Sequence, residues 1–407
     1  MYLIDKLNAI CATLGGTTTH KYSINALNEW CILAGGVGGH VYDIAAYNEL
    51  AVIYGASGGH KYNINALNAI DVAFGGAGAW VYDVDALASI GSNVNQKDPD
   101  FIITFDTTLP GSASNTIVFP LTGKTANDVV IKWGDGSEDS YSTAGDKTHV
   151  YASPGIYQVR VSKEMTAFSF NDTGDKLKAI FHDNWGSSEF ISMNGAFWGC
   201  TNIQYRASDF PNTSQVASML RMFYNTPFNQ SVANFDTSQV TTMYRMFNNT
   251  PFNQSVTNFD TSKVTDMRYM FYNTPFNQSV TNFDTSQVTT MYSMFYNTPF
   301  NQSVTNFDTS QVTTMYRMFY NTPFKHPINF NIPLVTELSG MFQLCDINEA
   351  GTTTNYDLTL NNFANNPNTP NNLNFHGGNS KYSAIGKVGR DILISKGWTI
   401  TDGGLAV

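Results

Sequence analysis

The side chains that could do chemistry in this sequence are few, and nearly all of them recur at a fixed interval. His20, His40 and His60 stand 20 residues apart, with Trp80 next in the column. A metal site needs several ligands converging from close spacing; one imidazole per interval reads instead as a packed or hydrogen-bonded ring, so no metal is assigned. Asp236, Asp260, Asp284 and Asp308 stand 24 apart. Cleavage of a glycosidic bond needs one pair of carboxylates flanking a cleft, whereas an acid repeated once per unit behaves as a turn-capping residue. Asp135 and His149 could form an acid–imidazole pair, but no nucleophile is partnered with them at readable spacing. No catalytic residue and no cofactor is assigned, and the chain is not read as an enzyme.

The remaining candidates are for binding. Residues 219–324 repeat one 24-residue phrase nearly unchanged, with Met-Phe pairs at 222/223, 246/247, 270/271, 294/295 and 318/319. The positions that change between copies are Tyr244-Arg245, Arg268-Tyr269, Tyr292-Ser293 and Tyr316-Arg317, each preceded closely by Thr242, Asp266, Thr290 or Thr314. Variation inside an otherwise copied unit marks side chains that face solvent. A row of Tyr244, Arg245, Arg268, Tyr269, Tyr292, Tyr316 and Arg317 offers ring faces and planar donors to sugars or protein. A plain solvated tyrosine surface would carry the same residues.

A fixed period of this length calls for stacking, because one such unit cannot bury its own apolar side chains. Thr237 or Ser238 would cap a short helix whose buried face is Val240, Met243, Met246 and Phe247, at i, i+3, i+6 and i+7. Pro251 would end it, and an extended segment would carry Phe252, Val256 and Phe259. Asn229, Asn253, Asn277 and Asn301, with Gln230, Gln254, Gln278 and Gln302 beside them, form amide columns expected to bond to the next coil's backbone or to each other.

A second repeat, of 20 residues, fills the first part of the chain: Tyr2, Tyr22, Tyr42, Tyr62 and Tyr82 are in register, as are Leu7, Leu27, Tyr47, Leu67 and Leu87. Stripes such as Ile24, Leu27, Trp30 and Cys31 predict short helices. Ser23, Asp43, Asn63 and Asp83 would cap them, and Gly35-Gly36 and Gly75-Gly76 would stop them. Five such modules must stack on each other or on something itself repetitive. Tyr22, His40, Tyr42, His60, Tyr62 and Trp80 are the candidate attachment residues.

Between the arrays the pattern changes to short alternating runs, FIITF, TIVFPL, VVIKW and YQVRV. Trp133-Gly134-Asp135-Gly136, then His149-Val150-Tyr151, Pro154-Gly155, Tyr157, Val159 and Val161, resemble a PKD-type domain. That resemblance implies a small β-sandwich serving as a spacer, in which the glycines make a tight turn and Asp135 bonds its own turn. The 24-residue units resemble the BspA-like, leucine-rich-repeat-related surface proteins, whose unit runs Phe-Asn-Gln to Asp-Thr-Ser-x-Val-x-x-Met-x-x-Met-Phe. Phe235, Phe259, Phe283 and Phe307 replace that family's tryptophan. Phe197-Trp198-Gly199-Cys200 looks like a degenerate first unit, and Phe375 to Tyr382 with Gly397 to Asp402 like the terminating cap. The N-terminal array resembles Gly-Gly-punctuated segments that open bacteriophage virion proteins.

The resulting expectation is a multidomain, mainly β chain with short helices: residues 1–97 a helix-turn repeat array, 98–164 a PKD-like β-sandwich, 165–345 a repeat solenoid, and 346–407 its C-terminal cap. Charged residues make up only 13 % and the net charge is -10, with no basic cluster, which excludes nucleic acid as a partner. No apolar run approaches a membrane span, and the N-terminus lacks the basic region of a secretory leader. Cys11, Cys31, Cys200 and Cys345 lack metal-ligand pairing and read as reduced, buried thiols. The function these readings converge on is a structural protein of a tailed-phage virion, a head or tail fibre or decoration assembled in the host cytoplasm. Residues 1–97 would hold capsid or tail proteins, and the solenoid would touch host-surface glycan or protein. A second copy of the chain is a further candidate partner. The competing expectation is a bacterial cell-surface adhesin of the BspA-like type.

Overall fold

The computed structural model describes residues 98–406, and the readings made on residues 1–97, including Tyr22, His40, Tyr42, His60, Tyr62, Trp80, Cys11 and Cys31, lie outside the described residues. The described chain is mainly β with two short helices. It begins with nine strands: β1 (Phe101–Asp106), β2 (Thr116–Lys124), β3 (Val129–Lys132), β4 (Glu138–Tyr141), β5 (Gly145–Val150), β6 (Ile156–Val161), β7 (Met165–Phe168), β8 (Ala179–Asn184) and β9 (Gln204–Tyr205). One sheet runs β4-β3-β6-β1-β8-β9 and a second runs β5-β2-β7. The four apolar runs are strands β1, β2, β3 and β6. β1 is buried along nearly its whole length because it lies between β6 and β8. Phe101 of one sheet meets Phe119 and Phe168 of the other at 6.4 and 4.8 Å between ring centroids.

Two details lock this region. Gly134 has a left-handed φ of 86°, and a Cβ there would stand 2.5 Å from the Gln158 carbonyl oxygen, so the turn after Trp133 admits only glycine. The buried Lys178 ammonium donates to the carbonyls of Ser112, Ala113 and Thr116 at 3.0, 2.8 and 2.8 Å. Asp175, equally buried, accepts from the amides of Ser112 and Val118, both at 2.6 Å. The two sheets therefore do not end at residue 164, as the spacing of the runs had implied: β7 and β8, from the segment expected to begin the repeats, complete them. Central strands need partners on both sides, and those partners come from downstream.

From β8 onward the pairing turns parallel, first β8 with β9, then through single-residue bridges Ser218↔Thr242, Thr242↔Asp266, Asp266↔Thr290, Thr290↔Thr314 and Thr314↔Glu337. Here the expectation of a helix in each unit fails. Val240, Met243, Met246 and Phe247 are all fully buried as expected, but their backbone makes tight turns, not a helix. Arg245 and Asn249 have φ near 55°, which no right-handed helix contains. The amides of Met243, Arg245, Phe247 and Asn249 donate to the carbonyls of Asp266, Arg268, Met270 and Tyr272 in the next coil, at 3.0 to 3.1 Å. Spacing i, i+3, i+7 serves a stacked turn as well as a helix, because both need only place apolar side chains inward.

The rest of the unit behaves as its amides and hydroxyls imply. Asn229 Oδ1 accepts from the Asn253 amide and the Gln254 side chain, both at 3.0 Å, and Asn253 and Asn277 repeat this one coil on. Thr237, Thr261 and Thr285 donate to the carbonyls of Asp260, Asp284 and Asp308 at 2.8 to 2.9 Å. Inside, Phe247 and Phe252 stack at 3.8 Å within a coil, and Phe223, Phe247, Phe271, Phe295 and Phe319 run between coils at 5.7 to 6.0 Å. Phe197 stacks on Phe223 at 5.9 Å, so the irregular first unit belongs to the column. The far end is closed by helices α1 (Thr354–Asn365) and α2 (Ala384–Ser395) with the parallel pair β10 (Asn374–His376) and β11 (Thr399–Thr401). Leu338 bridges to Phe375, and the Phe342 amide donates to the His376 carbonyl at 3.0 Å, capping edge groups that would otherwise be unpaired. No helix among the described residues is long and apolar enough to cross a membrane.

Candidate binding surface

Two adjacent columns of the coil carry the candidate residues. Tyr244, Arg268, Tyr292 and Tyr316 sit two residues after the bridge column. Arg245, Tyr269, Ser293 and Arg317 follow at the left-handed position, with φ between 52° and 57°. Burial is uneven: Arg268 is exposed, Ser293 is buried, and Tyr244, Arg245, Tyr269, Tyr292, Tyr316 and Arg317 are half-buried. They face outward yet lie down along the stack and touch one another. Tyr244 meets Tyr269 at 6.0 Å, Tyr269 meets Tyr292 at 5.0 Å, and Tyr292 stacks on Tyr316 at 4.8 Å.

A third column, which variation alone did not single out, completes the strip. Tyr272 stacks on Tyr296, and Tyr296 on Tyr320, each at 4.5 Å. The signal was present in the register of Tyr224, Tyr272, Tyr296 and Tyr320, but a residue kept in nearly every copy reads as core. Trp198, Arg221 and Tyr224 extend the strip into the irregular unit, with the Arg221 guanidinium 4.4 Å from the Trp198 ring. The expectation that ring faces are offered to a ligand is therefore revised: the faces are largely taken by neighbouring rings and guanidinium groups, and edges, hydroxyls and planar donors remain. Burial first, then the neighbouring Tyr269 and Tyr316, pushes the Tyr292 hydroxyl up to about 12, so it is a neutral donor at physiological pH.

The arginines divide into two kinds. Arg268 grips Asp266 through Nε and Nη2, at 3.0 and 2.7 Å, and that bond, against the cost of burial, raises its pKa further. Arg221, Arg245 and Arg317 form no ion pair with any described residue. Each lies over rings: Arg245 at 4.7 Å from Tyr269 and 5.1 Å from Tyr244, Arg317 at 4.8 Å from Tyr316 and 5.3 Å from Tyr320. Their Nε atoms are buried without a hydrogen-bond partner.

Elsewhere the acid–base candidates are structural. Asp135 accepts from the Ser137 amide at 2.9 Å and from its hydroxyl at 2.5 Å, and the same carboxylate contacts His149 Nε2 at 2.8 Å. Ser137 thus brings a hydroxyl beside the pair, but its proton is held by Asp135 and not by the imidazole, which is a turn and not a relay. Asp236, Asp260, Asp284 and Asp308 each accept the amide two residues on, at 2.8 to 2.9 Å, as turn-capping residues do. Cys200 and Cys345 are buried and unpaired. Among the described residues no group of three His, Cys, Asp or Glu is placed to hold a metal.

A cleft of ≈ 140 Å³ opens where the regular coils begin, lined by His182, Trp185, Tyr205, Phe210, Phe228 and Phe235 among others. His182 is fully buried, and burial pushes its pKa down to about 3, so the ring is neutral. The Asn184 backbone lies near enough to favour the charged form slightly but makes no hydrogen bond of normal geometry.

With this geometry in view, residues 163–274 and again 248–356 match the family described as "Mycoplasma protein of unknown function, DUF285". The match covers the stacked coils and a little under half of the chain, and it supports their reading as BspA-like repeats. No curated protein and no solved structure matches the chain.

Proposed function

We propose that this chain is a non-enzymatic adhesion protein of a tailed-phage virion, a head- or tail-attached fibre or decoration. In this reading residues 1–97 grip capsid or tail proteins, the PKD-like sheets are a spacer, and the solenoid of BspA-like repeats presents its tyrosine–arginine strip to host-surface glycan or protein. The observation that carries the adhesive part is the strip itself: tyrosine rings aligned over successive coils, with Arg221, Arg245 and Arg317 among them that have no carboxylate partner among the described residues. The virion part rests on the resemblance of the N-terminal array.

A second reading, a bacterial cell-surface adhesin, is favoured by the match to a family described from Mycoplasma. Gold-labelled antibody against residues 165–407, applied to purified particles and to the producing cells, separates them. Label at a fixed place on particles supports the virion reading; label on cell envelopes beside bare particles replaces it with the second.

A further inference from the structure

We infer that the strip recognises an acidic glycan, a linear sugar chain bearing carboxylates, through Arg221, Arg245 and Arg317. This rests on the adhesive reading above and names its ligand chemistry. The backbone supplies the first argument. The left-handed position is glycine in the units at both ends, Gly195 with φ 58° and Gly340 with φ 66°. The five coils between them hold Arg221, Arg245, Tyr269, Ser293 and Arg317 in the same conformation. Glycine adopts it freely and other residues do not, so the side chains are retained there at a cost to the fold.

The chemistry of the arginines supplies the second. The terminal nitrogens of Arg221, Arg245 and Arg317 make no hydrogen bond within the described chain, and unlike the Nε atoms they are reached by solvent. With Nε buried among the rings, each guanidinium keeps its two terminal nitrogens, a planar pair of donors able to take a carboxylate by two parallel bonds. Arg268 shows the same chemistry within the chain through its other edge, Nε and Nη2 holding the Asp266 carboxylate. In a chain of net charge -10, three such open forks on one strip are a local exception.

The third argument is the repeat. Neighbouring coils advance by about the parallel strand spacing, roughly 4.8 Å. Arg221 and Arg245 are one coil apart, and Arg317 lies three coils beyond Arg245. Charges in a line at multiples of one step fit a polymer with regularly pendant acids better than a single small anion. The stacked rings of Tyr272, Tyr296 and Tyr320 belong to the same strip, and a tyrosine hydroxyl both donates to and accepts from sugar hydroxyls. A nucleic-acid strand would ask for open ring faces on which bases could stack, and those faces are largely occupied.

The test measures binding of the full chain to immobilised polygalacturonate, neutral dextran of equal length, single-stranded DNA and envelopes of the producing bacterium, at low and high salt. Saturable binding to polygalacturonate that weakens with salt and exceeds dextran and DNA is expected. The pair Arg245→Gln and Arg317→Gln should lower that affinity about tenfold or more, while the thermal midpoint confirms folding. Arg245→Lys with Arg317→Lys, which keeps charge but loses the fork, should recover only part of it. Asp266→Ala, which removes both oxygens that hold Arg268, should strengthen binding. Equal binding to dextran, equal or tighter binding to DNA, or indifference to the Gln pair overturns the assignment. Attachment to envelopes without affinity for polygalacturonate sinks the acidic-glycan inference alone; no attachment to envelopes sinks the adhesive reading beneath it.

Discussion

The two-sheet region and the stacked coils share one continuous apolar core, Phe168 meeting Phe197 at 5.1 Å across their junction, yet they are held together by opposite means. The sheets join segments distant in sequence, β1 with β6 and β8, and fasten a loop with a buried ammonium and carboxylate. Each coil bonds chiefly to the coils on either side, through a half-exposed amide column and a buried threonine column. The first arrangement is all-or-none, because each pairing depends on the others. The second is close to a sum of coil terms and neighbour terms, so damage to it stays local.

The sharpest way to break this contrast is Lys178→Met. It strands Asp175 in the interior, and loss of one partner of a buried pair costs about 3–5 kcal/mol; urea titration should show the whole region of residues 101–184 losing protection together. Met270→Ala in the middle of the stack should cost about 2–5 kcal/mol. Hydrogen exchange should then rise in the coils around residue 270 while the sheets keep their protection. Were both substitutions to loosen both regions equally, the contrast would be wrong.

Smaller changes sharpen it. Asn277→Ala leaves the half-buried Asn301 amide and Gln302 side chain to water in place of their shared acceptor, at about 0.5–1.5 kcal/mol by denaturant midpoint. Arg245→Gly relieves a left-handed residue and forfeits ring contacts, effects of about 1 kcal/mol each, so melting should barely move. Acid acts on the sheets through Asp135. Partial burial would raise its pKa, but hydrogen bonds from Ser137 and His149 outweigh this and lower it from 3.8 to about 2. A carboxylate lowered on folding stabilises the fold above its unfolded value and loses that contribution as pH falls through the folded one. Asp135→Asn should therefore flatten the stability loss between about pH 4 and pH 2, as followed by the Trp133 fluorescence signal.

The same contrast explains what could be read beforehand. Val240, Met243, Met246 and Phe247 declare themselves as core because they are copied unchanged, yet the spacing suggests a helix where the chain makes turns: the Val240 and Met246 amides bond three residues back, and those of Met243 and Phe247 one coil ahead, none four residues back. β7 and β8 escaped notice as MTAF and AIFHDN, short runs whose strand character comes from the neighbours they meet. Asp175 and Lys178, three apart, look like an exposed pair until the loop 112–118 closes over them. The strip is half legible: variation marks Arg245 and Tyr292, while Tyr272 and Tyr296 sit in a column kept in every copy but one, and that the rings lie on one another depends on the closeness of successive coils.

That coils bond mainly to their neighbours has a mechanical side. Bonds such as that from the Phe247 amide to the Met270 carbonyl, at 3.1 Å, point along the stack, so tension applied in that direction loads them one after another. A released coil of 24 residues pays out roughly 80 Å of chain. Under drag such a column lengthens in steps of one coil, each step relaxing the load on the coils still folded, and a force–extension trace would show evenly spaced teeth.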